Sequence, residues 1–103
     1  VGQALMEDIA FDADSGQLLS GSFMDYTMPR ADDFCAMKVE SNPVVTEANP
    51  LGVKGAGEAG CVGALPAVMS AVTDALSVYG IDYIEMPATA ERVWQAIQDA
   101  KAA

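Results

Sequence analysis

The stretch Gly52-Val53-Lys54-Gly55-Ala56-Gly57-Glu58-Ala59-Gly60 stands immediately before the longest apolar segment of the chain. It places four glycines and one carboxylate, that of Glu58, within nine residues. Glycine lets the backbone approach a ligand closely and take positive φ angles. A carboxylate held by such a loop against an apolar helix would lose part of its hydration and become a stronger base. The stretch therefore predicts a cofactor-facing loop with Glu58 as its proton-transfer residue. The alternative is a glycine-rich loop with a solvated glutamate.

The segment after this loop predicts a helix from Cys61 to Tyr79 that is buried on most sides. Its larger apolar residues recur at helical spacing: Leu65, Val68, Val72, Leu76 and Tyr79. Its polar residues form one narrow stripe, and a helix this apolar needs cover on most faces. Pro66 is expected in the first turn, where its missing N–H costs nothing, and Gly80 is expected to end the helix.

Short strands and two further helices are predicted around that segment. Residues 1–8 have the pattern of a helix end, and Thr89 can cap a last helix that ends at residue 100, before a frayed tail. The Asp-Ser-Gly cluster within Phe11–Leu19 predicts a hairpin. Two Asn-Pro pairs in residues 41–53 disfavour helix, so an extended connection should deliver the glycine loop. Strands are expected over 17–28, 34–40 and 81–86.

These elements give an α+β class in which short strands pack with two or three helices. The chain has 103 residues, enough for one domain at most, and 51% of them are hydrophobic. That apolar content exceeds what a small free-standing domain needs, and no capping residue precedes Val1. We therefore expect residues 1–103 to be a single fragment of a larger domain, with surfaces that face further protein.

Charge and residue types argue against several kinds of function. The net charge is −10, which repels phosphate backbones and argues against nucleic-acid binding. There is no histidine, and Cys35 and Cys61 make neither a zinc site nor a disulfide framework. No metal-ligating residue is assigned, and a reduced, cytoplasmic setting is expected. The longest uncharged run, Ala59 to Thr73, is too short to cross a bilayer, so no integral membrane segment is expected.

Two other functions fit parts of the sequence. Residues 55–60 satisfy the dinucleotide-binding pattern G-x-G-x-x-G, and Asp82 follows about twenty residues later. The context differs, because Pro43 and Pro50 precede the glycines where that fold has a buried strand. The second alternative is a free-standing acidic α+β interaction domain without catalysis. It predicts a stable monomer in which Glu58→Gln changes nothing.

Four blocks of the sequence resemble one known family. In this order and spacing, they are Gly2-Gln3-Ala4-Leu5, Ser22-Phe23-Met24-Asp25-Tyr26-Thr27-Met28-Pro29-Arg30-Ala31, Lys54-Gly55-Ala56-Gly57-Glu58-Ala59 and Met86-Pro87-Ala88-Thr89. They are similar to the C-terminal segment of the molybdopterin-binding large subunit of molybdenum hydroxylases. That family includes aerobic carbon monoxide dehydrogenases, aldehyde oxidases and xanthine dehydrogenases. The resemblance covers essentially the whole chain, and the K-G-x-G-E block is its most specific part.

The resemblance implies that the parent protein is an enzyme. Its reaction would be the oxidative hydroxylation of carbon monoxide, an aldehyde or a heteroaromatic compound with oxygen from water. By the same resemblance, Glu58 is the catalytic base beside molybdenum. Lys54, Gly55, Ala56 and Gly57 lie against the molybdopterin, which is expected in its cytosine dinucleotide form. The resemblance also implies partner subunits that carry FAD and [2Fe–2S] clusters, and a homodimer of the assembled complex.

Two features separate this chain from the family pattern. The pterin-contacting glutamine of the family lies just upstream of the residues that match Val1-Gly2, and the substrate-selecting loops lie far upstream. The isolated chain is therefore expected to bind no cofactor and to be inactive, and the rest of the large subunit is its expected partner. Cys35 and Cys61 stand where the family commonly has proline and threonine, and neither is assigned to the site.

Overall fold

Helices make up most of the regular secondary structure of residues 1–102, the part of the chain that the computed structural model describes. Helix α1 covers Gly2–Leu5, α2 covers Ala59–Leu76 and α3 covers Ala90–Ala102. Single 3₁₀ turns lie at Ala31–Asp33 and Ser77–Tyr79. Helix α1 packs against α2. The second 3₁₀ turn directly follows α2 and also contacts α3.

Helix α2 is the longest element, and local chain chemistry explains its ends. It begins at Ala59, earlier than expected, because the Ala59 N–H already donates to the Ala56 carbonyl at 3.3 Å in a preceding turn. The prediction that Pro66 lies in the first turn is therefore wrong. Pro66 lies inside the helix, where it cannot donate a helical hydrogen bond. Gly80 ends the element as predicted, at φ 74° with its N–H donating to the Ser77 carbonyl at 2.9 Å.

The apolar surface of α2 is largely exposed, so the prediction of a helix buried on most sides is wrong for residues 1–102. Leu76 is 5% exposed, whereas Val62 is 69% exposed. The reason is the lack of a covering layer around the helix. The Cα radius of gyration is 18.5 Å, against about 13 Å for a compact domain of about 100 residues. The described chain therefore covers only part of the apolar surface of α2, where α1 and the small core at Leu76 lie against it.

By length and composition alone, the stretch Ala59–Tyr79 could cross a membrane. This stretch has 21 residues. It is longer than the uncharged run from Ala59 to Thr73 on which the sequence-based expectation rested, because the helix continues past Thr73 and includes Asp74. A core helix of a soluble protein meets the same criterion. The stretch contains the ionisable side chain of Asp74. Because a charged group is costly to place in lipid, protein or water is the more favourable environment for this part of the helix.

Helix α3 begins as predicted but ends later. Thr89 caps it, because the Thr89 Oγ1 accepts a hydrogen bond from the Arg92 N–H at 3.3 Å. The helix continues to Ala102, so the predicted fraying is wrong at Lys101. The Lys101 ammonium lies 5.5 Å from the centroid of the Tyr79 ring, a cation–π contact that stabilises the last turn. The last residue of the predicted frayed tail, Ala103, lies outside the described residues.

The hairpin predicted near the start of the chain forms. Phe11 and Leu18 make an antiparallel β-bridge, and Gly16 takes the left-handed conformation at φ 71°. The Asp12 Oδ1 accepts hydrogen bonds from the Ser15 hydroxyl at 2.6 Å and from the Ser15 N–H at 2.8 Å. These contacts, the hydroxyl first, hold the pKa of the Asp12 carboxyl below its ordinary value of 3.8. The turn is thus fixed by a charged side chain.

Acidification should loosen this turn. Because the pKa of folded Asp12 is lowered, its contacts stabilise the hairpin above the ordinary value of 3.8 and are lost as the pH falls through the lowered pKa. In an NMR titration of the chain down to about pH 2, we expect the amide resonance of Ser15 to report this loss. In a Ser15→Ala variant the midpoint for Asp12 should rise towards its ordinary value. An unchanged midpoint would contradict the role of the hydroxyl.

The three predicted strands have no partner strand within residues 1–102. Residues 17–28, 34–40 and 81–86 are turns and irregular chain, apart from the bridge at Leu18. A strand persists only when a neighbour satisfies its backbone N–H and C=O groups. The α+β class therefore remains a prediction, and it depends on strands outside this chain.

A small core forms where both ends of the chain meet α2. Its buried apolar side chains are Ala4, Leu76 and Ala88, and the Ala88 N–H donates to the Ala4 carbonyl at 2.7 Å. At the edge of this core, the Arg92 guanidinium lies 3.2 Å from the Asp8 carboxylate. These contacts fix the first turn of α1 beside α2.

The second sequence block is hydrogen-bonded to the segment that directly follows α1. The Tyr26 hydroxyl donates to the Glu7 Oε2 at 3.1 Å. Loss of hydration, together with this bond to the carboxylate, raises the pKa of Tyr26 above its usual value of 10.0. At the tip of the same block, Phe23 and Met24 are 89% and 93% exposed. Like α2, this tip presents apolar side chains that the described chain does not cover.

Candidate active site

The loop from Lys54 to Glu58, named the base-carrying loop after the prediction for Glu58, is an exposed segment between a tight turn and α2. All five of its residues, Lys54, Gly55, Ala56, Gly57 and Glu58, are exposed. Glu58 stands directly before α2 and occupies its N-cap position. The structure thus presents the five sequence-predicted site residues on one open surface.

Asn49 builds the turn that leads into this loop. Its Oδ1 accepts hydrogen bonds from the N–H groups of Leu51 at 3.1 Å and Val53 at 3.2 Å. Its Nδ2 donates to the Val53 carbonyl at 2.9 Å. The expectation of a plain extended connection missed this closed turn. The signal that could have found it is the asparagine itself, whose side chain readily bonds backbone groups a few residues further on.

Gly52 makes the same turn possible from the backbone side. It lies at φ 65°, and its carbonyl accepts a hydrogen bond from the Thr46 N–H at 3.2 Å. A Cβ at this position would lie only 3.1 Å from the Cβ of Val45. Both the backbone angle and the space therefore require glycine here.

Unpaired backbone donors line the loop and the first turn of α2. Within residues 1–102, the N–H groups of Lys54 to Glu58 find no protein acceptor, and neither do those of Gly60 and Cys61. Free N–H groups at the start of a helix attract oxygen-rich and negatively charged groups. The loop can therefore bind such a group through its main chain, whatever its side chains are.

The two glycines inside the loop do not serve an unusual backbone conformation. Among the described glycines, positive φ occurs at Gly16, Gly52 and Gly80, and not at Gly55 or Gly57. A Cβ added at either would meet no atom of the described chain within 4 Å. The chain itself therefore does not require glycine at either position.

Glu58 presents a free carboxylate at the end of the loop. Its side chain makes no hydrogen bond to residues 1–102 and does not cap α2. The prediction that the loop and the apolar helix desolvate Glu58 is wrong for this chain, because no described element covers the first turn of α2. A carboxylate in this position can accept a proton from a group that comes within hydrogen-bonding distance of it.

A cleft of about 410 Å³ lies beside the loop, between the starts of α1 and α2. Gly2 and Gln3 line one side, and Gly60 and Cys61 line the other. Sequence reasoning did not bring these two segments together, because the packing of α1 on α2 is a long-range contact with no local signal. The cleft extends the open surface of the loop towards the N-terminus of the chain.

The parts of the alternative dinucleotide pattern lie in different cavities. Gly60 lines the cleft, whereas Asp82 lines a separate groove of about 750 Å³ between α2 and residues 81–86. An acidic residue that binds a ribose must reach the same ligand as the glycines. Within residues 1–102, no three His, Cys, Asp or Glu side chains form a group that could hold a metal ion. Cys35 and Cys61 are free and exposed.

Comparison with known proteins supplies the family. Residues 1–35 match the family model of the molybdopterin cofactor-binding domain. The nicotine 6-hydroxylase large subunit of Paenarthrobacter nicotinovorans is 41% identical over 99 residues, which cover 93% of this chain and 12% of that protein. The chain belongs to the molybdopterin-binding large-subunit family. The resemblance inferred from the four sequence blocks is thereby confirmed.

Other relatives match nearly the whole chain as well. The carbon monoxide dehydrogenase large chain of Hydrogenophaga pseudoflava is 32% identical over 96 residues, 93% of this chain and 12% of that protein. The 6-hydroxypseudooxynicotine dehydrogenase complex subunit gamma of Paenarthrobacter nicotinovorans is 33% identical over 102 residues, 95% of this chain and 12% of that protein. The chain thus spans about 12% of the length of these relatives.

Proposed function

We propose that this chain supplies the base-carrying loop of a molybdenum hydroxylase active site, with Glu58 as the general base. The observation that carries the proposal is the open loop itself, with its unpaired N–H donors and its free carboxylate. A phosphate-bearing pterin offers the oxygen acceptors that such donors bind. Lys54, Gly55, Ala56 and Gly57 are the residues that would hold it, because the glycines leave space for close approach.

The molybdenum cofactor, when bound, supplies the redox chemistry of the hydroxylation. The chain's own contribution is proton transfer. The Glu58 carboxylate would take the proton from the water-derived oxygen that attacks the substrate carbon. Its attachment to the first turn of α2 holds the backbone of Glu58 in place. Cover from the rest of the subunit would remove water from the loop and make the carboxylate a stronger base.

The whole enzyme would oxidise carbon monoxide, an aldehyde or a heteroaromatic compound. Names among the relatives, carbon monoxide dehydrogenase and nicotine 6-hydroxylase, support the first and the last of these substrate classes. The residues of this chain do not show which of the three substrate classes is used. Glu58 is the side chain of the loop that would act in catalysis, and it would perform the same proton transfer with each class.

The rest of the large subunit is the proposed packing partner of this chain. It would cover the exposed apolar side chains of α2 and of the tip at Phe23 and Met24, and it would supply the strands that the α+β class requires. A relative named as a complex subunit supports further partner subunits, for which FAD and [2Fe–2S] clusters are proposed. We further propose that the complex is a homodimer and that the cofactor has the cytosine dinucleotide form. A cytoplasmic location is also proposed, and the free cysteines support it.

Metal analysis of the native polypeptide tests this function. We expect the full polypeptide that carries this sequence, purified from its source, to contain molybdenum in equimolar amount and to be several times longer than this chain. A metal-free polypeptide of about 103 residues would contradict the proposal. It would leave the acidic interaction domain as the better explanation.

A further inference from the structure

Asn49 controls the direction in which the chain enters the base-carrying loop. Both peptide groups of Val53 are bound by this one side chain: its N–H donates to Oδ1 at 3.2 Å, and its carbonyl accepts from Nδ2 at 2.9 Å. Val53 directly precedes Lys54. Because the two bonds hold the Val53 backbone from both sides, the orientation of the next peptide group follows from the position of the Asn49 amide.

The turn around Asn49 is anchored at more than one point. The Gly52 N–H donates to the Asn49 carbonyl at 3.1 Å, and the Gly52 carbonyl accepts from the Thr46 N–H at 3.2 Å. The Thr46 Oγ1 in turn accepts from the Ala48 N–H at 3.2 Å. Residues 46–53 therefore form a closed unit that does not depend on the rest of the chain.

Between this unit and α2, the loop has no support of its own. Within residues 1–102, the N–H groups of Lys54 to Glu58 have no protein acceptor. The position of the Glu58 carboxylate is thus set by two anchors, the start of α2 on its C-terminal side and the Asn49 turn on its N-terminal side. The Asn49 turn fixes where the loop begins, and α2 fixes where it ends at Glu58.

A second asparagine on the same connection shows that this arrangement is specific. Asn42 also precedes a proline, and it is exposed whereas Asn49 is half-buried. Its side chain makes none of the hydrogen bonds seen among the described residues, whereas that of Asn49 makes three. Both positions carry an Asn-Pro pair, but only the Asn49 side chain forms these three hydrogen bonds, which we call the Asn49 clamp.

We propose that Asn49 is a positioning residue for Glu58, acting through the backbone of Val53 and the loop that follows. The inference rests on the proposed function, since it assumes that Glu58 is the base. Asn49 need not touch substrate or cofactor. Its role is to keep the carboxylate within reach of the proton it accepts, and a misplacement of about 1 Å is enough to slow such a reaction strongly.

The test compares three variants in the full, assembled enzyme: Asn49→Ala, Asn49→Asp and Asn42→Ala. Asn49→Ala removes all three bonds, and we expect kcat to fall by at least about tenfold with KM unchanged, since substrate binding is not altered. Asn49→Asp keeps an acceptor for the Leu51 and Val53 N–H groups, so its kcat should lie between those of Asn49→Ala and the wild type. Asn42→Ala should behave as the wild type.

A second readout does not depend on activity. Hydrogen exchange of the peptide that contains Leu51 and Val53, measured by mass spectrometry on the same preparations, should accelerate in Asn49→Ala and stay unchanged in Asn42→Ala. Should Asn49→Ala fail to assemble, Asn49→Asp still reports through both readouts. Equal kcat and equal exchange in Asn49→Ala and Asn42→Ala would overturn the proposal. So would Asn49→Asp being no faster than Asn49→Ala.

A parallel Glu58→Gln variant separates the two levels of the proposal. If Glu58→Gln is inactive while Asn49→Ala equals Asn42→Ala, the positioning role fails and the base assignment stands. If Glu58→Gln keeps full activity, the proposed function fails, and with it the reason for a positioned loop.

Discussion

Glu58→Gln in the full enzyme should reduce kcat by at least about 100-fold, since loss of a general base has that effect on a proton-transfer step. Glutamine keeps the size and hydrogen-bonding oxygen of the side chain but cannot accept the proton. In residues 1–102 the Glu58 carboxylate makes no hydrogen bond, so the substitution removes no contact that holds the chain together. Steady-state kinetics with molybdenum quantified in each preparation would measure the effect.

Glu47→Gln is the matched control for this experiment. Glu47 is an exposed glutamate on the connection that leads to the same loop, and removing its charge changes the net charge by the same amount. We expect its kcat to equal that of the wild type. If Glu58→Gln retains molybdenum and turns over as fast as Glu47→Gln, Glu58 is not the base, and the solvated glutamate of a structural loop is the correct interpretation.

Local chemistry was predictable from the sequence because a few neighbouring residues determine it. The cap at Thr89, the helix stop at Gly80 and the hairpin around Gly16 each depend on contacts within about four residues. These three features form in the structure at the positions that local sequence predicts. The loop from Lys54 to Glu58 is also recognisable from its glycines and Glu58 alone, but its role towards a cofactor stays a prediction.

Features that depend on distant residues could not be predicted in the same way. Helix α2 is largely exposed, and residues 34–40 and 81–86 have no partner strand within residues 1–102. In the proposed function the rest of the large subunit supplies that cover, and the chain spans about 12% of the length of its relatives. The contact of α1 with α2, which forms the cleft, has no periodic or compositional signal. The Asn49 clamp is local but was missed, because an Asn-Pro pair indicates only an interruption of helix and not the partner of the asparagine side chain.

Gly57→Ala in the full large subunit should lower its molybdenum content well below the equimolar amount. In residues 1–102, a Cβ at Gly57 meets no atom within 4 Å, and the residue has no positive φ. Folding of the chain therefore tolerates alanine, which even reduces the entropy of the unfolded state. The added methyl group can act only on something outside the described chain, which in the proposed function is the cofactor or the part of the large subunit that covers the loop.

Gly63→Ala separates a cofactor effect from a general effect of replacing glycine. Gly63 is also exposed and also has open space where a methyl group would be added, but it lies inside α2 and not in the loop. We expect this variant to keep its molybdenum, because alanine favours the helix. Metal analysis and the visible absorption of both purified variants measure how much cofactor each one retains.

Equal molybdenum in Gly57→Ala and Gly63→Ala would show that the loop does not contact the cofactor. Loss confined to Gly57→Ala would support contact between the cofactor and the backbone that leads directly to Glu58.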